Sequence, residues 1–272
     1  MIKQKYGIPF LITEHSSGFK RNLIGNKELI FAKRVFRIAE KRIAVSKQFA
    51  DYLYSITDKY FIYLPNMTDT EYFTIINNKS KSSDFVFLNI ASLDNNKNHY
   101  MLIEAFAEKF KDINHVKLII AGKGPLESKL KAKIIDLNIE KKVVFKGQVS
   151  REQVRELFHN ANAFVLSSKY ETFGVVLIEA LSCGLPIIAT KCGGAESIIA
   201  DERIGELVDI DKEDLANAME KVFNNINKYD SAYIREYAIN SFSKEVVTSK
   251  LIELYKIILL SKKNHDNIGN TI

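Results

Sequence analysis

Two carboxylates, Glu171 and Glu179, stand with seven residues between them in the stretch SSKYETFGVVLIEALSCGLPIIATKCGG, residues 167–194. A β-rich run (163–166) leads into polar residues, then Phe173-Gly174, then VVLIEALS, then Gly184-Leu185-Pro186 and a second β-rich run, IIAT (187–190). That order reads as strand, loop, short helix, turn, strand: one βαβ unit with a buried crossover helix. Gly174 opens the helix, so the backbone N–H groups of Val175, Val176 and Leu177 are expected to lack intrahelical partners and to present the positive end of the dipole to a phosphate. Glu171 precedes the helix and Glu179 lies in its second turn, which lets both carboxylates face one cleft. Carboxylates repel phosphate, so they are better suited to accept hydrogen bonds from neutral hydroxyls flanking it. A phosphate between two polyols describes a nucleotide sugar. The plainer alternative is a solvated Glu beside an ordinary Gly-Leu-Pro turn, but a solvated face is hard to draw within VVLIEALS.

The elements that must position these residues alternate regularly from Phe85: strand 85–91, helix 99–110, strand 116–121, helix 126–137, strand 143–146, helix 151–160, then the unit above. Strands alternating with helices imply a parallel sheet with right-handed crossovers, a Rossmann-like α/β domain. Ligands of such sheets sit at the strand carboxyl ends, where three loops hold candidates. The loop 91–97 offers Lys97 as a point charge for a diphosphate, although an exposed loop Lys is usually just solvated. Gly122-Lys123-Gly124-Pro125 lets a ligand approach the backbone, the default for a lone G-x-G being a turn. Gly147-Gln148-Val149 offers backbone groups and is the least specific of the three.

Upstream, residues 8–13 read as a buried strand ending in Glu14-His15-Ser16-Ser17-Gly18, and residues 28–41 as an amphipathic helix. Phe31, Val35 and Ile38 form its expected apolar stripe and Lys33, Arg37 and Lys41 a basic one. That basic face suits anionic lipid headgroups, with an ordinary solvated face as the plainer reading. A strand (43–46), a helix (47–56) and a strand (60–64) follow. The polar, Ser-rich residues 68–84 read as an interdomain linker between a first domain, 1–67, and a second, 85–242. Downstream, a helix is expected to start at 195–199, a strand spans 205–208, and a helix spans 211–223 with Asp211 as its N-cap. Residues 244–260 are amphipathic, within a final helical segment over 243–262, and 263–272 read as a flexible tail.

E-T-F-G-V-V-L-I-E-A-L-S-C-G-L-P-I-I-A-T-x-C-G-G-A-E is similar to the E-x7-E signature of retaining glycosyltransferases of family 4, or group 1, whose fold is GT-B. The resemblance extends from about Gly7 to about Leu260. It implies a GT-B type α/β protein with a Rossmann-like donor-binding domain, and transfer of a sugar from a nucleoside diphosphate to a hydroxyl acceptor with retention, in surface polysaccharide or lipopolysaccharide synthesis. In that picture Glu179 holds the ribose hydroxyls, Glu171 the donor sugar, and Lys97 with the helix N-terminus at residues 174–177 (Gly174, Val175 and Val176 among them) the diphosphate, with Phe173 and Ser92 also among the donor-binding residues. Gly122, Gly124 and Val149 line the nucleoside pocket. His15 matches the His that follows the first-domain strand in T-x-H-S and stands near the transferring sugar. Ser92 takes the place of an Arg in the family's G-R-L-x-x-x-K, and Met67 the place of a Gly in P-N-G-V-D-x-x-x-F. The resemblance implies no metal and no cofactor other than the nucleotide-sugar substrate. It also implies that the first domain, with fewer than seventy residues here, is partial. Two readings stay open: an active transferase, or a non-catalytic nucleotide-sugar-binding subunit whose acceptor side needs a partner chain.

Composition sets the outer bounds. The chain has 272 residues, 46% hydrophobic and 26% charged, as ordinary globular proteins do. No apolar run approaches a membrane span and no secretory h-region opens the chain, so the expectation is a cytoplasmic protein, peripheral to membrane where its acceptor is lipid-linked. Cys183 and Cys192 make no disulfide framework or zinc pattern. Residues 1–80 hold 13 Lys/Arg against 7 Asp/Glu, so the whole net charge of +6 lies in the first third. No nucleic-acid module surrounds it, and no nucleic-acid partner is expected.

Overall fold

The computed structural model describes residues 5–21, 23–76 and 84–269, the last nine by backbone alone. Residues 77–83 of the linker expected over 68–84 lie outside the described residues, as do residues 270–272 of the expected tail. Two parallel sheets organise the chain. The first has order β1-β2-β3, with β1 at Leu11–Glu14, β2 at Lys41–Ala44 and β3 at Ile62–Tyr63. Helix α1 (Asn26–Ile38) connects β1 to β2, and α2 (Lys47–Thr57) connects β2 to β3. Ser46 caps α2 by accepting from the Phe49 N–H, satisfying one of the amides the helix start leaves open.

The stripe of α1 differs from the sequence expectation. Phe31 is 65% exposed, and the buried residue is Phe36, packed edge-on to Phe61 at 5.2 Å. Leu29 and Ala32 join it in the core, so the helix is rotated toward Leu29, Ala32 and Phe36. Apolar residues at 29–32, 35, 36 and 38 support either stripe, and only packing chooses between them. Lys41 belongs to β2 rather than to the helix.

The second sheet has order β6-β5-β4-β7-β8-β9. Its strands are β4 (Phe85–Ile90), β5 (Val116–Ala121), β6 (Val143–Gly147), β7 (Ala163–Leu166), β8 (Ile187–Thr190) and β9 (Gly205–Val208). Between them run α3 (His99–Phe110), α4 (Glu127–Asp136), α5 (Arg151–Asn160) and α6 (Val175–Ser182), and α7 (Lys212–Asn224) follows β9. β7 and β8 are buried at every residue, as strands covered on both faces must be. Alternate residues of β4 enter two cores: Phe87 packs with Phe106 and Phe110 of α3, while Leu88 faces Phe158 of α5 and Phe164 of β7. Replacing such a Phe by Ala typically costs about 3–5 kcal/mol. The helix expected at 195–199 is a single 3-10 turn, Ala195–Ser197.

Helix α8 (Ser231–Phe242) packs on α6, and helix α9 (Lys244–Gly269) returns to the first sheet and runs well past residue 260. Val247 of α9 packs against Ile43 of β2 and Leu64. Arg235 of α8 donates to the carbonyls of Thr70, Phe73 and Ser182, tying the connecting segment to the end of α6. Among the described residues no helix is long and apolar enough to cross a membrane.

Candidate functional site

In the second sheet the chain winds outward one way from β4 through β5 to β6, then the other way from β7 through β8 to β9. The loops after β4 and β7 therefore diverge at a topological switch point, the place where open parallel sheets bind ligands. Four loops emerge side by side on this edge: those after β6, β5, β4 and β7. They carry Val149; Gly122 and Gly124; Ser92 and Lys97; and Glu171 with Gly174.

The two central loops are laced together. Lys169 N–H donates to Asn96 O (2.7 Å), Asn96 Nδ2 to Tyr170 O (2.8 Å), and Ser167 Oγ to Lys97 O (2.8 Å). Across this seam Lys97 Nζ pairs with Glu171 Oε1 at 2.5 Å, and Ser168 Oγ donates to the same oxygen at 2.6 Å. The two side chains are 23% and 16% exposed, so the pair is far less screened than a surface ion pair. Ser92 is exposed and donates to Asp94 Oδ2 at 2.8 Å, so it supplies no charge to the edge.

Gly174, the N-cap of α6, has φ +101°, which glycine adopts without strain. Leu177 N–H donates to Gly174 O at 2.9 Å. Of the three amides expected to be open, Leu177 is closed, because the first turn tightens to an i→i−3 bond, and among the described residues Val175 and Val176 N–H have no backbone acceptor. The Phe173 side chain is buried edge-on to Phe242 at 5.9 Å, so only its backbone is placed to meet a ligand. Glu179 lies in the second turn. Burial pushes its carboxyl up to about 7, against the opposing pull of the Arg151 guanidinium at the start of α5. Among the described residues no hydrogen bond reaches its carboxylate. The two glutamates thus have unlike settings, Glu171 paired to a lysine and Glu179 desolvated near an arginine.

Gly122 has φ +141°, and a Cβ built there would stand 1.9 Å from Ala91 O. Its N–H donates to Gly147 O (2.7 Å), and Leu93 N–H donates to Lys123 O (3.0 Å), so the loops after β4, β5 and β6 are fixed on one another. Gly124 accepts from Glu127 N–H at the turn into α4, and Val149, partly buried, stands two residues before Arg151.

His15 is exposed in the loop after β1, its N–H donating to Glu14 Oε1 at 3.0 Å. Among the described residues no hydrogen bond or ion pair joins it to Lys97, Glu171 or Glu179. The first lobe meets the second elsewhere: Lys47 N–H donates to Ser197 Oγ (3.0 Å), which donates to Gln48 Oε1 (2.7 Å), and Lys20 Nζ lies 4.8 Å from the centre of the Tyr170 ring. Sequence reasoning passed over Ser168, Asn96, Arg151 and Lys20. Ser168 stands three residues before its partner Glu171, within a local polar run, whereas Asn96 bonds to Tyr170, 74 residues away, and Lys20 meets Tyr170 from the other lobe.

A family model described as "Glycosyl transferases group 1" matches residues 73–240, more than half of the chain. A probable sucrose-phosphate synthase of Thermosipho melanesiensis is 26% identical over 95% of this chain and 68% of the relative. A Campylobacter jejuni N-acetylgalactosaminyltransferase acting on a diphospho-undecaprenol glycan is 35% identical over 48% of this chain and 34% of the relative. The chain spans between a third and a half of the first curated relatives it matches. Among solved structures, sucrose-phosphate synthase from Thermosynechococcus elongatus superposes with a TM-score of 0.83 at 24% identity, covering 96% of this chain and 70% of that one. Anabaena HepE in complex with UDP and glucose superposes at 0.79 and 20% identity, covering 93% and 73%. The GT-B type α/β architecture expected from the sequence is the one these glycosyltransferase structures share with it. By its matched residues and its fold, the chain belongs to the group 1 glycosyltransferases.

Proposed function

We propose that the chain is a retaining glycosyltransferase of the family 4 type, moving a hexose from a nucleoside diphosphate to a hydroxyl of a surface glycan or lipid-linked acceptor. The observation that carries this reading is the Lys97–Glu171 pair at the switch point, beside the Gly174-opened start of α6. The diphosphate occupies the anion site formed by Lys97 and the Val175 and Val176 amides. Glu179 accepts from the ribose hydroxyls, and the backbone at Gly122, Gly124 and Val149 borders the base. Glu171 holds hydroxyls of the donor sugar, with His15 reaching that sugar from the other lobe. During transfer the acceptor oxygen bonds to the anomeric carbon, and the bond from that carbon to the diphosphate oxygen breaks. The electron pair leaves with the diphosphate and the acceptor proton is released. Lys97 and the helix amides stabilise the departing charge, so the reading needs no metal and no cofactor. Work at a membrane surface is part of the proposal, supported by Lys33 and Arg37 standing exposed near Ile30 and Phe31 on α1.

A second reading, a nucleotide-sugar-binding subunit that needs a partner for its acceptor side, draws on two observations. Ser92 is turned to Asp94 rather than acting as a cation, and β1 pairs only with β2 among the described strands while Tyr6 and Ile8 nearby are exposed. Incubation with UDP-, GDP- and ADP-linked hexoses and a set of lipid-linked and glycan acceptors, read by mass spectrometry and anomeric NMR, separates the two. The first reading expects a product with the donor's anomeric configuration. An inverted product contradicts retention, and binding without transfer supports the second reading.

A further inference from the structure

A nucleoside diphosphate carries two phosphate groups, yet the ammonium that crosses the seam, that of Lys97, is already paired with Glu171, and Ser92 adds no charge. A second cation comes from the other lobe. Lys20, in the loop after β1, extends over the Tyr170 ring at 4.8 Å and stands 6.0 Å from the Tyr52 ring. Tyr170 precedes Glu171, and its carbonyl accepts from Asn96, next to Lys97. The Lys20 backbone is held in place: Tyr52 Oη donates to Phe19 O at 2.8 Å, Phe19 is buried, and Arg21 N–H donates to Ser17 O at 3.1 Å. The side chain is therefore aimed at the loop that carries Glu171, and among the described residues its ammonium meets the faces of Tyr170 and Tyr52. An exposed cation–π contact is weak beside a charge-assisted hydrogen bond to phosphate, so a diphosphate arriving at this edge can draw the ammonium away.

We infer that Lys20 is a donor-binding residue, supplying from the first lobe the second positive charge that a nucleoside diphosphate requires and drawing the two lobes together around it. This rests on the nucleotide-sugar reading of the same site. Lys20 is placed to act on the phosphates alone, since the base and ribose positions are assigned to residues of the loops after β5 and β6 and to Glu179.

The test is calorimetric titration of wild type, Lys20→Ala and Lys20→Arg with UDP, GDP and ADP, and with the monophosphate of whichever diphosphate wild type binds most tightly. Lys20→Ala is expected to weaken the diphosphate about tenfold, an energy of about 1.4 kcal/mol, and the monophosphate by less than threefold. Lys20→Arg keeps the charge and stays within threefold of wild type for both. Diphosphate affinity of Lys20→Ala within twofold of wild type overturns the inference, as does an equal loss for both ligands, which marks a purely structural latch. Failure of wild type to bind any of the three diphosphates overturns the nucleotide-sugar reading and this inference with it.

Discussion

Lys97 Nζ lies 2.5 Å from Glu171 Oε1 although the two residues are 74 apart in the chain. The contact bridges the loops after β4 and β7 and closes the seam; on the proposed reading it also holds the lysine where a diphosphate would meet it. Bound phosphate and Glu171 then compete for one ammonium. Glu171→Gln is expected to leave nucleoside diphosphate binding as tight as wild type or tighter, because Lys97 is released. Its kcat is expected to fall by about a hundredfold, the usual scale for losing a group that positions the reacting sugar. Equilibrium titration alongside steady-state kinetics checks both; a Glu171→Gln enzyme with unchanged kcat refutes the role.

Lys97→Ala acts in the opposite sense. It removes the cation and leaves a largely buried carboxylate that, among the described residues, keeps only the Ser168 hydroxyl. A loss of diphosphate affinity of tenfold or more is expected, with about 1–3 kcal/mol of stability, measured by denaturant titration. Lys97→Ala, Glu171→Gln should recover most of the stability and none of the affinity.

Glu179 makes stability depend on pH. Its carboxyl lies at about 7 in the folded chain against an ordinary value of 4.5, because burial penalises the charge. Below about pH 4.5 the group is protonated in both states and costs nothing. Between there and pH 7 the unfolded chain sheds the proton while the folded chain keeps it, so stability falls as pH rises, and the loss is complete above 7. Buried His99, lowered to about 4, works with the opposite sign. The difference between wild type and Glu179→Gln isolates the carboxylate: on the order of 1–3 kcal/mol should appear between pH 4.5 and 7. Parallel stability profiles would show that Glu179 is solvated after all.

Gly122→Ala tests the scaffold rather than the chemistry. The added methyl would meet Ala91 O at 1.9 Å on a backbone at φ +141°. A destabilisation of about 2–4 kcal/mol is expected from the strain and the broken fit of the loops after β4 and β5. Thermal melting reads it directly, and a melting temperature equal to wild type contradicts the geometry.

How much of this was legible depended on whether the determinant was local. The second sheet was: strand and helix bounds at 99–110, 116–121, 151–160 and 163–166 agree with the structure because apolar strands and capped helices announce themselves within a few residues. The capping box at Ser150 and Gln153 is such a local signal. Helix α1 was not, since Phe31 and Phe36 are equally apolar and only Phe61, across the lobe, decides which one is buried. The candidate residues of the second lobe were named from one stretch and three loops, yet the sequence shows neither that Lys97 pairs with Glu171 nor that Leu177 closes its own amide. Arg235, which holds three carbonyls from two distant segments, carries no motif at all.

The most direct test of the donor site is calorimetric titration of wild type and Glu179→Ala with UDP, GDP and ADP at pH 8, where Glu179 is ionised. The account expects saturable binding of one nucleotide, weakened at least tenfold by the substitution. Binding that Glu179→Ala leaves unchanged, or no binding by a demonstrably folded chain, contradicts it.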